Sequence, residues 1–341
     1  MLLKEVLALR VTVSTFNVQN LILPGITYYG TSRASPDDYQ RKCQWIAGQL
    51  KRMDADVIGF QEVFHRAALE NCLILSGHYA HAEVITEPET HLAPRVALVS
   101  RLPVRRHQWI SEFPPEAHLE ALGVTLPFTR FHRPILKAWL ALPNGQDAVV
   151  FVVHLKSKRP LIGEGHQRHD PVEEARGMAR SLILRACEAA ALRLLVLEEI
   201  RGTNTPLILI GDLNDATHAV TNDILQGRLP QRNFPAEVKK TLWDILLYSC
   251  SDLQARKSYK DVYYTHLHNS HYESLDHIFV SQEFVNENPA HIGFVEYMRL
   301  YNDHLLDPAL TDELPPTEIS DHGQPLVSIR LRDPKGRGSA S

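Results

Sequence analysis

Six segments carry carboxylate, amide and imidazole groups beside short apolar runs: Thr15-Phe16-Asn17, Phe60-Gln61-Glu62, Val153-His154-Leu155-Lys156-Ser157, Ile210-Gly211-Asp212-Leu213-Asn214, Ser274-Leu275-Asp276-His277 and Ile319-Ser320-Asp321-His322. Each polar cluster falls where a buried strand would meet a loop. A carboxylate or amide at the end of a buried strand needs a partner, and convergence of several such ends on one hard cation would supply it. Oxygen-rich donors of this kind select magnesium, calcium or manganese. The four cysteines, Cys43, Cys72, Cys187 and Cys250, are too scattered for a thiolate zinc site or a redox motif. Magnesium usually takes only one or two protein carboxylates and leaves room for water and a substrate phosphate.

The elements that must position these groups read as short Val-, Ile- and Leu-rich runs at Leu9–Phe16, Val57–Phe60, Val96–Ser100, Ile135–Leu142, Ala148–His154, Leu207–Gly211, Leu275–Val280 and Leu326–Leu331. Such runs suit strands buried on both faces. Ser35-Pro36-Asp37-Asp38 offers an N-cap, a first-turn proline and acidic first-turn residues, and Cys43, Ile46, Ala47 and Leu50 follow at helical spacing. Asp170-Pro171 with Glu173 and Glu174 opens a longer helix expected to reach Glu199, its apolar face formed by Met178, Leu182, Ala186, Ala190 and Leu194. The stretches His81–Pro94 and Ser111–Pro134 read as surface loops, and Asp333–Ser341 as a disordered tail. Strands and helices interleave without repeat or boundary, so residues 1–332 read as one α/β domain.

At 341 residues, 44% hydrophobic and 22% charged, the chain can bury a sizeable core. A formal net charge of −4 excludes a wholesale basic footprint for wrapping duplex DNA, though not a local basic strip. The opening MLLKEVLALR has no apolar stretch long enough for export, and no run reaches the ~18 apolar residues of a membrane helix. The expectation is a cytoplasmic protein with no membrane insertion and with buried, reduced cysteines.

In this order, FNVQN, GFQEV, VVHLKS, LIGDLND, SLDHIFVS and ISDHGQP resemble the motifs of the endonuclease/exonuclease/phosphatase (DNase I-like) superfamily, from Asn17 to His322. The resemblance implies a four-layer αββα sandwich, with two mixed β-sheets flanked by helices. It implies Mg2+ as cofactor, with Mn2+ able to substitute, and a phosphate-ester substrate, nucleic acid first among them. Glu62 resembles the principal metal ligand, with Asn17 beside the metal or holding a phosphate oxygen. Asp212 resembles the residue that orients or deprotonates the attacking water, and Asn214 the neighbour that steadies the phosphoryl oxygens. His322 resembles the phosphate-binding or general-base histidine, Asp276 the carboxylate that fixes its tautomer, and Asp321 a further metal ligand. His154 resembles the histidine that contacts phosphate or protonates the leaving oxygen. Arg133 and Lys156 are candidate phosphate contacts; a strand-opening arginine and a solvated lysine are the plain alternatives.

Some branches of the superfamily fit less well. Inositol phosphate 5-phosphatases carry Trp-Cys-Asp-Arg where this chain has Glu273-Ser274-Leu275-Asp276, and the Gly-Trp-Arg of abasic-site endonucleases is absent. The DNase branch supports its histidine with a glutamate where Pro94 and Arg95 stand here, which leaves the partner of His154 open. Pro325 follows His322 by three residues, where many relatives have it at two. HLKSK followed by an Arg- and Ala-rich helix is similar to bacterial nuclease-like members. A nuclease is the favoured expectation. The alternatives are a small-molecule or lipid-headgroup phosphodiesterase or phosphatase and, more remotely, a non-catalytic binding module, which would have lost a metal or base residue. His266, His268 and His271, in YYTHLHNSHYE, read as a substrate-side loop or plain surface rather than a metal cluster.

Overall fold

The computed structural model describes residues 9–30, 32–88, 92–121, 123–167, 169–228, 234–255, 264–268, 271–305 and 318–333. The tail expected over 333–341 therefore lies outside the described residues, apart from Asp333. Twelve strands build the two large sheets: β1 (Arg10–Leu21), β2 (Val57–Val63), β3 (Glu83–Thr86), β4 (Arg95–Ser100), β5 (Val104–Glu112), β6 (Arg130–Ala141), β7 (Asp147–His154), β8 (Leu207–Asp212), β9 (Tyr248–Ser249), β10 (Asp276–Val280), β11 (Gly293–Tyr301) and β12 (Gln324–Leu331). The first sheet has the order β11-β12-β1-β2-β4-β3 and the second β9-β10-β8-β7-β6-β5. Each is mixed: β1–β2 and β7–β8 run parallel, and their outer neighbours run antiparallel.

Both faces of the central strands are apolar, so both are covered. Ile208 and Ile210 of β8 join Val11, Val13, Val150 and Val327 in a core shared by the two sheets. Leu207 and Leu209 point the other way, onto Leu192 and Val196 of helix α3 (Pro171–Ile200). On the opposite outer surface, Phe16, Ile58 and Phe60 pack against helices α1 (Pro36–Met53) and α2 (Arg66–Ser76). The layers are thus helix, sheet, sheet, helix, the expected sandwich. The capping signals behave as expected: Ser35 Oγ accepts the Asp38 N–H at 3.1 Å, and Asp170 Oδ1 accepts that of Val172 at 3.0 Å. The four cysteines are free and buried. Among the described residues no helix is long and apolar enough to cross a membrane.

The register gathers the polar strand ends. Asn17 pairs with Gln61 across β1–β2, His154 with Asp212 across β7–β8, and Asp212 with Asp276 across β8–β10. Parallel strands deliver their C-terminal ends, and antiparallel β10 and β12 their N-terminal ends, to one edge of the sandwich.

Three expectations need correction. The predicted loop His81–Pro94 contains β3, and Ser111–Pro134 contains the end of β5 and the start of β6. Edge strand β5 is largely exposed and therefore shows no apolar run. Pro134 lies inside β6, where the β5–β6 register shifts between Arg130 and Ile135. The phase of α3 also differs: Met178 and Leu182 are 57% and 52% exposed, whereas Gly177, Ser181, Arg185 and Glu188 are buried. The segment 159–161 crosses the helix there. A Cβ on Gly177 would stand 2.9 Å from Pro160 Cβ, and Ser181 Oγ donates to Arg159 O at 2.7 Å. A small, polar buried face defeats a search for an apolar stripe.

Gly211 sets the β7–β8 spacing at the site edge, because an added Cβ would lie 2.1 Å from the Val153 carbonyl oxygen. Gly211→Ala is expected to lower stability by about 2–4 kcal/mol through overpacking and backbone strain. Denaturant unfolding checks this, and a loss below about 0.5 kcal/mol, the size of an ordinary surface substitution, would contradict it.

Candidate active site

The site is built from strand ends that depart from regular geometry. The β1–β2 register shifts between Asn17 and Leu21, and Gln19 and Asn20 take left-handed φ of 47° and 60°. Asn17 Oδ1 holds this bulge by accepting the Gln19 N–H at 2.9 Å. The turned backbone of Asn20 then donates to Glu62 Oε2 at 3.0 Å. Glu62 itself has φ 64°, and Asn214, past the end of β8, has φ 54°. Non-glycine residues in this region cost energy and persist where the surroundings impose them, commonly at functional sites.

Asp212, 1% exposed, is the hub. Asn17 Nδ2 donates to its Oδ2 at 3.0 Å across the sheet interface, and Asn214 N donates to its Oδ1 at 2.8 Å. His154 Nε2 lies 3.4 Å and His322 Nε2 3.9 Å from Oδ2. Burial pushes the Asp212 carboxyl up to about 7; His322 pulls it down and Asp276 pushes it further up. Asp276, 2% exposed, accepts from His322 Nδ1 at 2.7 Å. Burial alone would lower the His322 pKa, but the carboxylates of Asp276 and Asp212 outweigh it and hold it well above the ordinary value. Asn214 Nδ2 donates to Leu155 O at 3.0 Å, which ties the loops after β7 and β8 together.

The structure therefore brings Asn17, His154, Asp212, Asn214, Asp276 and His322 into one cluster. Asp321 borders it, with Oδ1 4.0 Å from His322 Nε2. Glu62 and Asp321 both act electrostatically on Lys42 of α1, a 9%-exposed lysine whose pKa burial lowers to about 8. His154 is buried among cationic groups; burial first, then Arg133, lowers its pKa far below the ordinary value. Among the described residues its Nδ1 has no hydrogen-bond partner, so no carboxylate among them replaces the support that Pro94 and Arg95 do not provide. Lys156 belongs to the loop rather than to an open phosphate site: its Nζ donates to Ser157 O at 2.9 Å and Arg159 O at 3.0 Å. Arg133 is half-buried, with Nη1 3.4 Å from Leu155 O. It lines a cleft of about 760 Å³ with Tyr29, His132, Lys156, Arg159 and Ile162.

Several contributors carry no motif. Glu188 of α3, fully buried, accepts the backbone N–H of His132 at 2.6 Å and of Lys156 at 2.7 Å, pinning both cleft walls. Burial raises its pKa. Arg185 donates to Asp215 Oδ2 at 3.2 Å and to Lys156 O at 3.2 Å. Two charged residues three apart inside an Ala- and Leu-rich helix were the available signal. His266 also enters the site. Its strand, His266–His268, forms a hairpin with His271–Glu273 and bridges backbone to backbone with His322. The His266 and His322 ring centroids lie 5.0 Å apart, so His266 is not plain surface; the side chains of His268 and His271 lie outside those described.

The hard-oxygen inventory fits a divalent cation. Glu62 spends one oxygen on a single backbone N–H and keeps lone pairs for a metal, Asp321 is half exposed, and the raised Asp212 pKa marks a buried charge that a nearby cation would relieve. Glu188→Ala would leave the buried Lys156 N–H and the part-buried His132 N–H unpaired, for an expected loss of about 2–4 kcal/mol, with Glu188→Gln losing less. Urea unfolding of both variants checks this; equal stability of Glu188→Ala and the parent would overturn it.

A family profile described as the Endonuclease/Exonuclease/phosphatase family matches residues 14–322. No curated protein matches the chain. Among solved structures, the endonuclease/exonuclease/phosphatase from Bacteroides vulgatus is 16% identical with TM-score 0.54, over 95% of this chain and 99% of that one. The human Nocturnin catalytic domain with bound sulfate is 16% identical with TM-score 0.53, over 96% of each chain. TDP2 of D. rerio, complexed with single-strand DNA product, is 13% identical with TM-score 0.52, over 94% and 98%. The profile spans every motif from Asn17 to His322 and the neighbours share the layered fold, so this chain belongs to the endonuclease/exonuclease/phosphatase family.

Proposed function

We propose that the chain is a Mg2+-dependent phosphodiester hydrolase acting on nucleic acid. The observation that carries this reading is the Asp276–His322–Asp212 constellation at the shared sheet edge, with Asp321 beside it. A divalent ion would be held by Glu62 and Asp321, and when bound would supply positive charge for the phosphoryl oxygens.

The protein's own groups divide the remaining work. Asp212, with a pKa near neutrality, is suited to take the proton of the attacking water as that oxygen bonds to phosphorus. His322, kept cationic with Nδ1–H on Asp276, is suited to grip a phosphoryl oxygen through Nε2–H and to return a proton to the leaving oxygen as the P–O bond breaks. Asn214 steadies the phosphoryl group, and His154, neutral and buried, orients Asp212 rather than meeting phosphate. In the adjoining cleft, Arg133 and Arg159 suit phosphates, while Tyr29, 57% exposed, offers a ring face to a base. That pairing favours a nucleotide-containing substrate over a lipid headgroup.

Turnover of single-stranded DNA, RNA and bis-p-nitrophenyl phosphate, with sphingomyelin and inositol phosphates as comparison, is expected to require Mg2+ or Mn2+. Glu62→Ala and Asp212→Asn are each expected to reduce turnover by roughly two to four orders of magnitude. Full activity in excess EDTA, or near wild-type turnover of Glu62→Ala, would sink the assignment. The pH profile of kcat/KM is expected to rise through about 7 as Asp212 loses its proton, and to fall at higher pH as His322 loses its own. Asp276→Asn removes the charge that raises the His322 pKa, so the falling limb should move to lower pH; an unmoved limb would contradict the pairing.

A further inference from the structure

We propose that His266, Asp321 and His322 form a binding site for a zinc-class transition metal, which shares Asp321 with the magnesium position but does not use Glu62. Their ligand atoms lie within 4.8 Å of one another. His266 Nε2 is 3.9 Å from Asp321 Oδ2, and His322 Nε2 is 4.0 Å from Asp321 Oδ1, so one carboxylate stands between two imidazole nitrogens. Tetrahedral zinc with bonds of about 2.0–2.1 Å separates its ligands by roughly 3.3 Å. The carboxylate–imidazole gaps then close by several tenths of an ångström through the Asp321 side chain, which is 47% exposed, while the two imidazoles, within 4.8 Å of one another at their ligand atoms, close by side-chain rotation of the part-exposed His266.

The imidazoles are already placed by the backbone. The His266–His322 bridge fixes their strands side by side. Thr265 anchors that bridge: its Oγ1 accepts the N–H of Leu275 at 2.9 Å and of Asp276 at 3.1 Å, and its carbonyl accepts the Gly323 N–H at 2.6 Å. Asp276 occupies His322 Nδ1, which leaves Nε2 as the metal-facing nitrogen and supplies the outer carboxylate common to zinc-bound histidines. Two nitrogens and one oxygen, with a fourth position for water, suit zinc; magnesium prefers an all-oxygen octahedron. The other compact group, Asp212, Asp276 and His322, is closed by its own hydrogen bonds and by burial.

Occupancy would engage His322 Nε2, the nitrogen given above to the phosphoryl oxygen, and would draw Asp321 away from the magnesium position. Zinc is thus expected to hold the protein in an inactive form. Zinc binding itself needs neither substrate nor turnover, so it succeeds or fails independently of the proposed reaction.

The test is calorimetric titration of the full chain with ZnCl2 in a background of millimolar MgCl2, paired with zinc-edge X-ray absorption. One zinc is expected to bind with Kd of about 10 µM or tighter, with two imidazole nitrogens in its shell. His266→Ala and Asp321→Asn should each weaken binding by roughly tenfold or more, and His266→Ala should leave one imidazole. The half-exposed Asp321 makes the second variant safe for folding. Glu62→Gln should bind zinc at least as tightly as the parent does, since it removes a magnesium ligand and no zinc ligand. The proposal is overturned if the parent takes no zinc at about 100 µM, or if His266→Ala and Asp321→Asn both keep the parent affinity. Affinity lost on Glu62→Gln but kept on His266→Ala would equally overturn it, placing zinc at the magnesium position.

Discussion

Burying a carboxylate costs several kcal/mol unless donors replace the lost water, and Asp212 is buried where the two sheets meet. The donors come from both sides: the Asn17 amide and the His322 imidazole from the first sheet, and the Asn214 backbone N–H and the His154 imidazole from the second. Compensation is incomplete, as the rise of the Asp212 pKa to about 7 shows. The same imbalance that costs the fold would suit the group, in the proposed reaction, to act as a base near neutral pH. The rest of the edge follows from it. The bulge after Asn17 keeps that amide on Asp212, and the Asp276 carboxylate keeps a positive imidazole beside it.

The supporting layer is structural. Helix α3 buries Glu188 and Arg185 behind the site, and these tie the strand carrying His132 and Arg133, the loop carrying Lys156 and the loop carrying Asp215 to one rigid element. A cleft wall held by two hydrogen bonds to one buried carboxylate cannot drift without unpairing backbone groups. The electropositive cleft thus gets its shape from a residue buried behind it.

Much of this was legible in the residues. The site groups adjoin runs such as LILIG and VVFVV, whose two-sided burial forces them into central strands, so their polar ends had to emerge at a common edge. Edge strands β3, β5 and β11 were not visible, because half-exposed strands mix charge with apolar residues. The face of α3 was misplaced because what it buries is glycine, serine and charge. Lys156 reads in the sequence as either a phosphate contact or a solvated lysine, and spacing gives no sign that its ammonium donates within its own loop. His266 was set aside because its meeting with His322 depends on a bridge between segments more than fifty residues apart, which spacing cannot report.

The central claim is that Asp276 and His322 work as one unit on the chemistry at Asp212. A double-mutant cycle on turnover tests it most directly, with Asp276→Ala, His322→Ala and the double variant measured under saturating Mg2+. The account predicts that both single variants are slow and that the double variant loses far less than the product of the two single losses, as members of one catalytic unit do. A double variant whose loss equals that product would show two independent residues and contradict the account.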